Sequence, residues 1–276
     1  YVPGFLYKNG ITLCCSLPGV GKTTAFCECS YELTQGGSFL GRPIPRPFRV
    51  LWLSFDMEPG RLTPIMQEYG PWPETLLVAE TPQPITLQTF ADYVAYIKEA
   101  GIEVLFVDTL AHWLATPDLD KSGVMAQAML LIRYLCKETG VSICATVHPN
   151  KVKTDANIYR IANSFMIGAG IDAGAVMEEM DTEIVSVHMV KNRPGTKWKE
   201  TFRKLENRLF PVEYHHVSGI QKDLLAYVAS QGEAYSKGIV DYFQEVYHNS
   251  KPTILKALAD LESHGALVRR QERNPK

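Results

Sequence analysis

The sequence predicts an α/β domain, a mostly parallel sheet extended by antiparallel strands, followed by a small C-terminal domain of winged-helix type. Three observations carry this. Short apolar runs at Ile11 to Cys15, Val50 to Phe55, Glu103 to Asp108 and Ser142 to Val147 alternate with helical stretches, as βαβ units require. The runs are apolar almost throughout, which suits strands covered on both faces. From Ala173 the texture changes to short strands joined by turns, and near His215 to Gly219 it changes again to helices. The expected domains are therefore 1–217 and 218–276.

Taken in order, Phe5 to Tyr7 and Ile11 to Cys15 flank Asn9-Gly10, a favoured two-residue hairpin signal. The second of these strands runs into Ser16-Leu17-Pro18-Gly19-Val20-Gly21-Lys22-Thr23-Thr24 and a helix to about Leu33. This stretch reads as a phosphate-binding loop. Glycines at 19 and 21 let successive amides curl around an anion while the helix offers its positive N-terminus. Pro18, Gly19, Val20, Gly21, Lys22, Thr23 and Thr24 are the expected nucleotide contacts, with Lys22 on the β/γ-phosphates and Thr23 on Mg²⁺. Ser16 stands where the usual pattern has its first glycine.

Gly36 to Pro47 reads as a loop, and Pro59 as the first turn of a helix reaching about Tyr69. A short strand is expected at Leu76 to Val78, and helices at Gln88 to Ala100 and Val124 to Thr139. Strands are expected at Ala173 to Glu179, Glu183 to Lys191, Lys197 to Leu205 and Leu209 to Tyr214. Helices at about 220–230, 236–245 and 251–264 lead to a last strand at Ala266 to Arg270.

In such sheets ligands gather at the carboxyl ends of the strands, where Thr23, Asp56, Glu58, Asp108 and His148 fall. Asp108 ends four apolar residues and is expected beside the phosphate loop, holding Mg²⁺-bound water near Thr23. Asp56 and Glu58 are both candidates to polarise an attacking water. The same acids would also suit a helix N-terminus on dipole grounds. His148 reads either as a γ-phosphate sensor or as a loop histidine. Lys191 and Arg193 point to one face of a strand end, as a finger acting on a neighbouring subunit's nucleotide or as solvated cations.

Net charge is −2, so any nucleic-acid contact must come from local patches. One patch is Asn150 to Gly168, with Lys151, Lys153, Tyr159 and Arg160. Cations around an aromatic suit a single nucleic-acid strand, and also an ordinary surface loop. The other is the C-terminal domain, where Ser250, Lys251, Thr253 and Lys256 open a helix and Arg269, Arg270, Arg273 and Lys276 form a basic wing. DNA is the favoured partner there, protein contact the alternative. The six cysteines have neither C-x-x-C pairing nor metal-ligand spacing and read as core residues in a reducing cytoplasm. No apolar run is long enough to span a bilayer, so a cytoplasmic location without membrane attachment is expected.

Together these residues resemble the RecA-like P-loop ATPases, most closely the RepA/DnaB-type hexameric replicative helicase branch of plasmid and phage replication. The matching stretches are Leu17 to Thr24, Phe39 to Arg42, Val50 to Met57, Val107 to Ala111, Val147-His148, Ala162 to Ser164 and Lys191 to Arg193, over about residues 1–210. The resemblance implies that Asp56 activates water, with Glu58 displaced by two. It implies that Lys191 and Arg193 engage the adjacent subunit's ATP, and that the loop after His148 faces the channel of a six-membered ring on single-stranded DNA. This chain departs from the family at Ser16 and at Ala162-Asn163.

The expectation is therefore a Mg²⁺-dependent ATPase acting on single- or double-stranded DNA as a homo-oligomeric motor, a hexameric replicative helicase of a mobile element. The alternatives are a nucleotide-switched DNA-binding regulator or loader, and a RecA-type recombinase. A small-molecule phosphotransferase would need an arginine-rich lid, and none lies between Asp56 and Asp108.

Overall fold

The computed structural model describes residues 1–58, 60–115, 122–148, 165–205, 207–213, 219–231, 236–247, 249–263 and 265–268. The chain forms two compact units, Tyr1–Glu213 and Tyr214–Lys276.

In chain order the strands of the first unit are β1 (Ile11–Cys15), β2 (Ser38–Phe39), β3 (Arg42–Pro43), β4 (Val50–Ser54), β5 (Leu76–Ala79), β6 (Val104–Asp108), β7 (Ser142–Val147), β8 (Ala173–Asp181), β9 (Ile184–Asn192), β10 (Trp198–Leu205) and β11 (Arg208–Pro211). The main sheet has the order β11-β10-β9-β8-β1-β7-β6-β4-β5, and β2 pairs with β3 apart from it. From β8 to β5 every pairing is parallel, and from β8 to β11 every pairing is antiparallel.

Alternation along each strand sends side chains into two cores. Cys14, Trp52, Phe106 and Cys144 meet α1 (Lys22–Gln35) and α2 (Leu62–Gln67) on one face. Leu13, Leu51, Leu105 and Ile143 meet α3 (Phe90–Glu99) and α5 (Ser122–Thr139) on the other. Short helices α4 (Leu110–Trp113) and α6 (Phe165–Gly170) complete the layer. Trp52 stacks on Phe106 at 12° between ring planes while Phe26 meets both edge-on, contacts worth about 0.5–1.5 kcal/mol each beyond burial. All six cysteines are free and buried, and burial pushes the Cys14 thiol up to about 12.

Several local expectations are corrected. Phe5 to Tyr7 forms no strand; Val2 and Leu6 make one isolated bridge, and the Gly10 amide closes a turn onto the Tyr7 carbonyl at 3.1 Å. The reason is topological, because β7 and β8 already take both edges of β1. Within the expected loop Gly36 to Pro47, β2 and β3 form a small hairpin. Leu40 and Gly41 between them both have positive φ, as a two-residue hairpin turn requires. Pro59 lies outside the described residues, and the helix expected there to about Tyr69 is described over Leu62–Gln67.

The second unit packs α7 (Gly219–Gln231), α8 (Ser236–Tyr247) and α9 (Lys251–Ser263) around Leu224, Val240, Phe243, Ile254 and Leu258. The strand expected at Ala266 to Arg270 is not formed at Ala266 to Val268; Arg269 and Arg270, like Arg273 and Lys276, lie outside the described residues. Among the described residues no helix is long and apolar enough to cross a membrane.

Candidate functional site: the loop after the first strand

The strand β1 ends at Cys15 between two parallel neighbours, and the chain turns through Ser16 to Gly21 into α1. Gly19 and Gly21 have φ of 83° and 110°, left-handed values that only glycine adopts without strain. Ser16, by contrast, is absent from the residues of positive φ, so glycine is not needed there. Its hydroxyl has a local use instead. Lys22 Nζ donates to the Ser16 carbonyl at 2.7 Å, to Ser16 Oγ at 3.1 Å and to the Leu17 carbonyl at 3.3 Å. Lys22 is thereby held, largely buried, over its own loop. No side chain caps the start of α1 and no acid lies in its first turn, so the helix presents its positive end to the loop.

Two further strands bring acids to this end of the sheet. Asp108, the last residue of β6, is 3 % exposed. Thr23 Oγ1 donates to its Oδ2 at 3.2 Å and the buried Thr146 of β7 donates to its Oδ1. Burial raises the Asp108 carboxyl above its ordinary value of 3.8, the Thr146 and Thr23 hydroxyls pull it back, and the Asp56 carboxylate raises it again. Ser54 of β4 is in register with Asp108, and the Phe55 and Asp56 amides reach the Asp108 carbonyl at 2.7 and 3.2 Å. Asp56 is thus exposed beside Asp108. Glu58 is exposed too, 3.9 Å from Arg61 at the surface.

Hard oxygen donors at Thr23 and Asp108 fit Mg²⁺, which keeps several waters and takes few protein ligands. No group of three or more His, Cys, Asp or Glu suited to a metal occurs among the described residues.

His148 follows β7 and is exposed, one residue beyond Val147, the partner of Cys15. Lys191 and Arg193 lie elsewhere. Asn192 pairs with Ala173, which pairs with Thr12, so both cations sit at the end of the sheet where β1 begins. Lys191 donates to the Gly168 carbonyl and Arg193 to that of Ala169, both at the end of α6, and Arg193 is 3.8 Å from Asp172. Burial and then the Arg193 guanidinium lower the Lys191 ammonium.

Of the expected nucleic-acid contacts, Lys151, Lys153, Tyr159 and Arg160 lie outside the described residues. Lys251 and Lys256 are exposed on α9. Ser250 and Thr253 bond to one another at 2.8 Å and cap that helix.

Sequence reasoning missed three residues around the loop. Thr146 is a threonine inside an apolar strand, a pattern that carries no site signal by itself. The Tyr69 hydroxyl bonds to the Asn207 carbonyl and lies 3.3 Å from that of Thr24. Lys204 of β10 lays its Cδ 3.5 Å from where a side chain on Gly21 would begin.

The fold has a known counterpart. A solved structure of an ATPase domain superposes with a TM-score of 0.60 at 12 % identity, over 75 % of this chain and 86 % of that one. No curated protein matches the sequence. A family model described as an AAA domain matches residues 1–154, more than half of the 276 residues. The chain therefore belongs to the AAA domain family.

Proposed function

We propose that the chain is a Mg²⁺-dependent ATPase that couples hydrolysis to movement on DNA as a homo-hexameric replicative helicase of a mobile element. One observation carries the enzymatic half: Lys22, Thr23 and Asp108 converge on a glycine-rich loop at the head of a helix with no acid in its first turn.

In this reading the amides of Gly19 to Thr24, in a loop shaped by Pro18, cradle the phosphates and Lys22 leaves its carbonyl partners for the β- and γ-phosphates. Thr23, with Asp108 through water, would hold Mg²⁺, which screens the triphosphate's charge when bound. Asp56 is the better placed of the two acids to orient the attacking water, since its backbone is bonded to that of Asp108. Glu58 faces solvent beside Arg61 and serves the helix start. His148 stands one residue past the strand beside the loop, and in this reading it senses the γ-phosphate.

The DNA half rests on the resemblance of the sequence to the RepA/DnaB-type branch and on basic residues. Lys151, Lys153 and Arg160 would face the strand in the ring's channel. Lys251, Lys256, Arg269 and Arg270 would give the C-terminal unit, read as a winged helix, its contact with duplex phosphates. Lys191 and Arg193 act on the neighbour's nucleotide.

Lys22→Ala should lower ATP turnover at least about 100-fold, and single-stranded DNA should stimulate the wild type. Unchanged hydrolysis in the variant refutes the site. A second reading, a nucleotide-switched regulator or loader, is favoured by the separate helical unit with its own core. A strand-displacement assay distinguishes the two.

A further inference from the structure

We propose that Lys204 is a second nucleotide-binding lysine, contacting the phosphates that are not transferred; this rests on the nucleotide reading of the loop after β1.

The first ground is position. Lys204 lies near the end of β10, which runs parallel to β1 because two antiparallel steps separate β10 from β8. Its end therefore lies at the same edge of the sheet as the phosphate loop. Alternation places Lys204 on the face of Phe202, which is fully buried in the core shared with α1, while Arg203 turns to the opposite, exposed face.

The second ground is fixation. The β10–β11 hairpin is fastened to α1 at three points. The Leu209 amide donates to Glu28 Oε2 at 2.9 Å, Arg208 pairs with Glu32 at 2.8 Å, and Tyr69 bonds to Asn207 while reaching Thr24. A lysine on that hairpin is thus held in register with the helix that starts at Lys22.

The third ground is contact. Lys204 Cδ lies 3.5 Å from the point where a Gly21 side chain would start. Its ammonium is two bonds further on, about 2.5 Å. None of the ion pairs among the described residues includes Lys204. It is a half-buried cation laid along the second glycine of an anion-binding loop, with no carboxylate among the described residues to answer it.

The sheet order assigns the division of labour. Asp108 and Asp56 approach from the β6 and β4 side of β1, where the metal and the attacking water belong. Lys204 approaches from the β8 side. Its charge falls on the phosphates nearest Gly21 and away from the acids, so it serves binding more than the chemical step.

The test is calorimetric titration of ADP and of adenosine into the whole chain, with steady-state ATPase kinetics alongside. Lys204→Ala should weaken ADP about 10- to 100-fold, the loss expected of one charge-assisted hydrogen bond. Adenosine binding should be unchanged, Lys204→Arg should restore most of the ADP affinity, and KM should rise with little change in kcat. Arg203→Ala, on the other face, is the control for general charge and should bind ADP as the wild type does. If Lys204→Ala binds ADP normally while Lys22→Ala is impaired, the assignment of Lys204 is wrong. If both bind ADP normally, the phosphate loop reading itself fails.

Discussion

Replacing Thr146 by valine isolates the electrostatics of the acid beside the loop. The two side chains have nearly the same shape, so the change deletes one hydroxyl that donates to Asp108 Oδ1 and, among the described residues, leaves the Thr23 hydroxyl on the carboxylate. A hydrogen bond to a buried charge is worth about 1.5–3 kcal/mol. Its loss raises the already elevated Asp108 pKa further, because that hydroxyl holds it down. Asp108 binds its proton more tightly folded than unfolded, so its contribution is fully present below the ordinary 3.8 and is lost as pH rises through the folded value. Thr146→Val deepens that loss, and urea denaturation near neutral pH should give a stability lower by about 1.5–3 kcal/mol. As pH falls below the folded value the carboxyl takes up its proton in both proteins and the difference should shrink. The acid limb of kcat/KM for ATP should move to higher pH, and Thr146→Ser should restore it. A loss of stability independent of pH, with an unmoved acid limb, refutes the account.

Two other substitutions probe the supports. Glu28 is buried under the β10–β11 hairpin and burial lifts it from 4.5 to about 7, against the pull of the Leu209 amide and Arg208. Its stabilising share is present below 4.5 and lost as pH rises through about 7. Glu28→Gln keeps an acceptor for Leu209 and should remove up to about 3 kcal/mol of that decline, read from urea curves across the window. Phe243 is fully buried at the centre of the helical unit. Phe243→Ala should cost that unit about 3–5 kcal/mol, and hydrogen exchange should rise in α7 to α9 while β1, β6 and β7 stay protected.

How much of this was legible beforehand depended on whether the signal was local. Val50 to Ser54, Val104 to Asp108 and Ser142 to Val147 are apolar runs that end in a polar turn, and they became strands within one residue of expectation. The phosphate loop was legible because its chemistry needs contiguous residues. Asn9-Gly10 misled because the hairpin signal is also local, whereas the two parallel partners that exclude a hairpin come from about 130 and 160 residues later. Thr146, Tyr69 and Lys204 were illegible for a related reason. Each is defined by the strand or helix it faces, 38 residues away for Thr146 and Asp108, 138 for Tyr69 and Asn207. Nothing in the neighbouring sequence marks them.

The same strand register bears on the lysine–arginine pair. Lys191 is level with Gly174, and Gly174 with Leu13, three residues before the loop starts. That is about 10 Å along the strand and about 10 Å across two strand spacings, further than a lysine side chain spans. Both side chains are also drawn away from the loop, onto the carbonyls that end α6 and towards Asp172. Neither cation can therefore serve the nucleotide of its own chain. A phosphate role for them requires a second copy whose loop lies against the start of β1 and the end of β9. Such a head-to-tail contact repeats, and closes into a ring when the rotation between copies divides a full turn. The fold of one chain thus makes an oligomer a condition of the trans-acting assignment, whereas Lys22 and, as proposed, Lys204 would serve the nucleotide of their own chain.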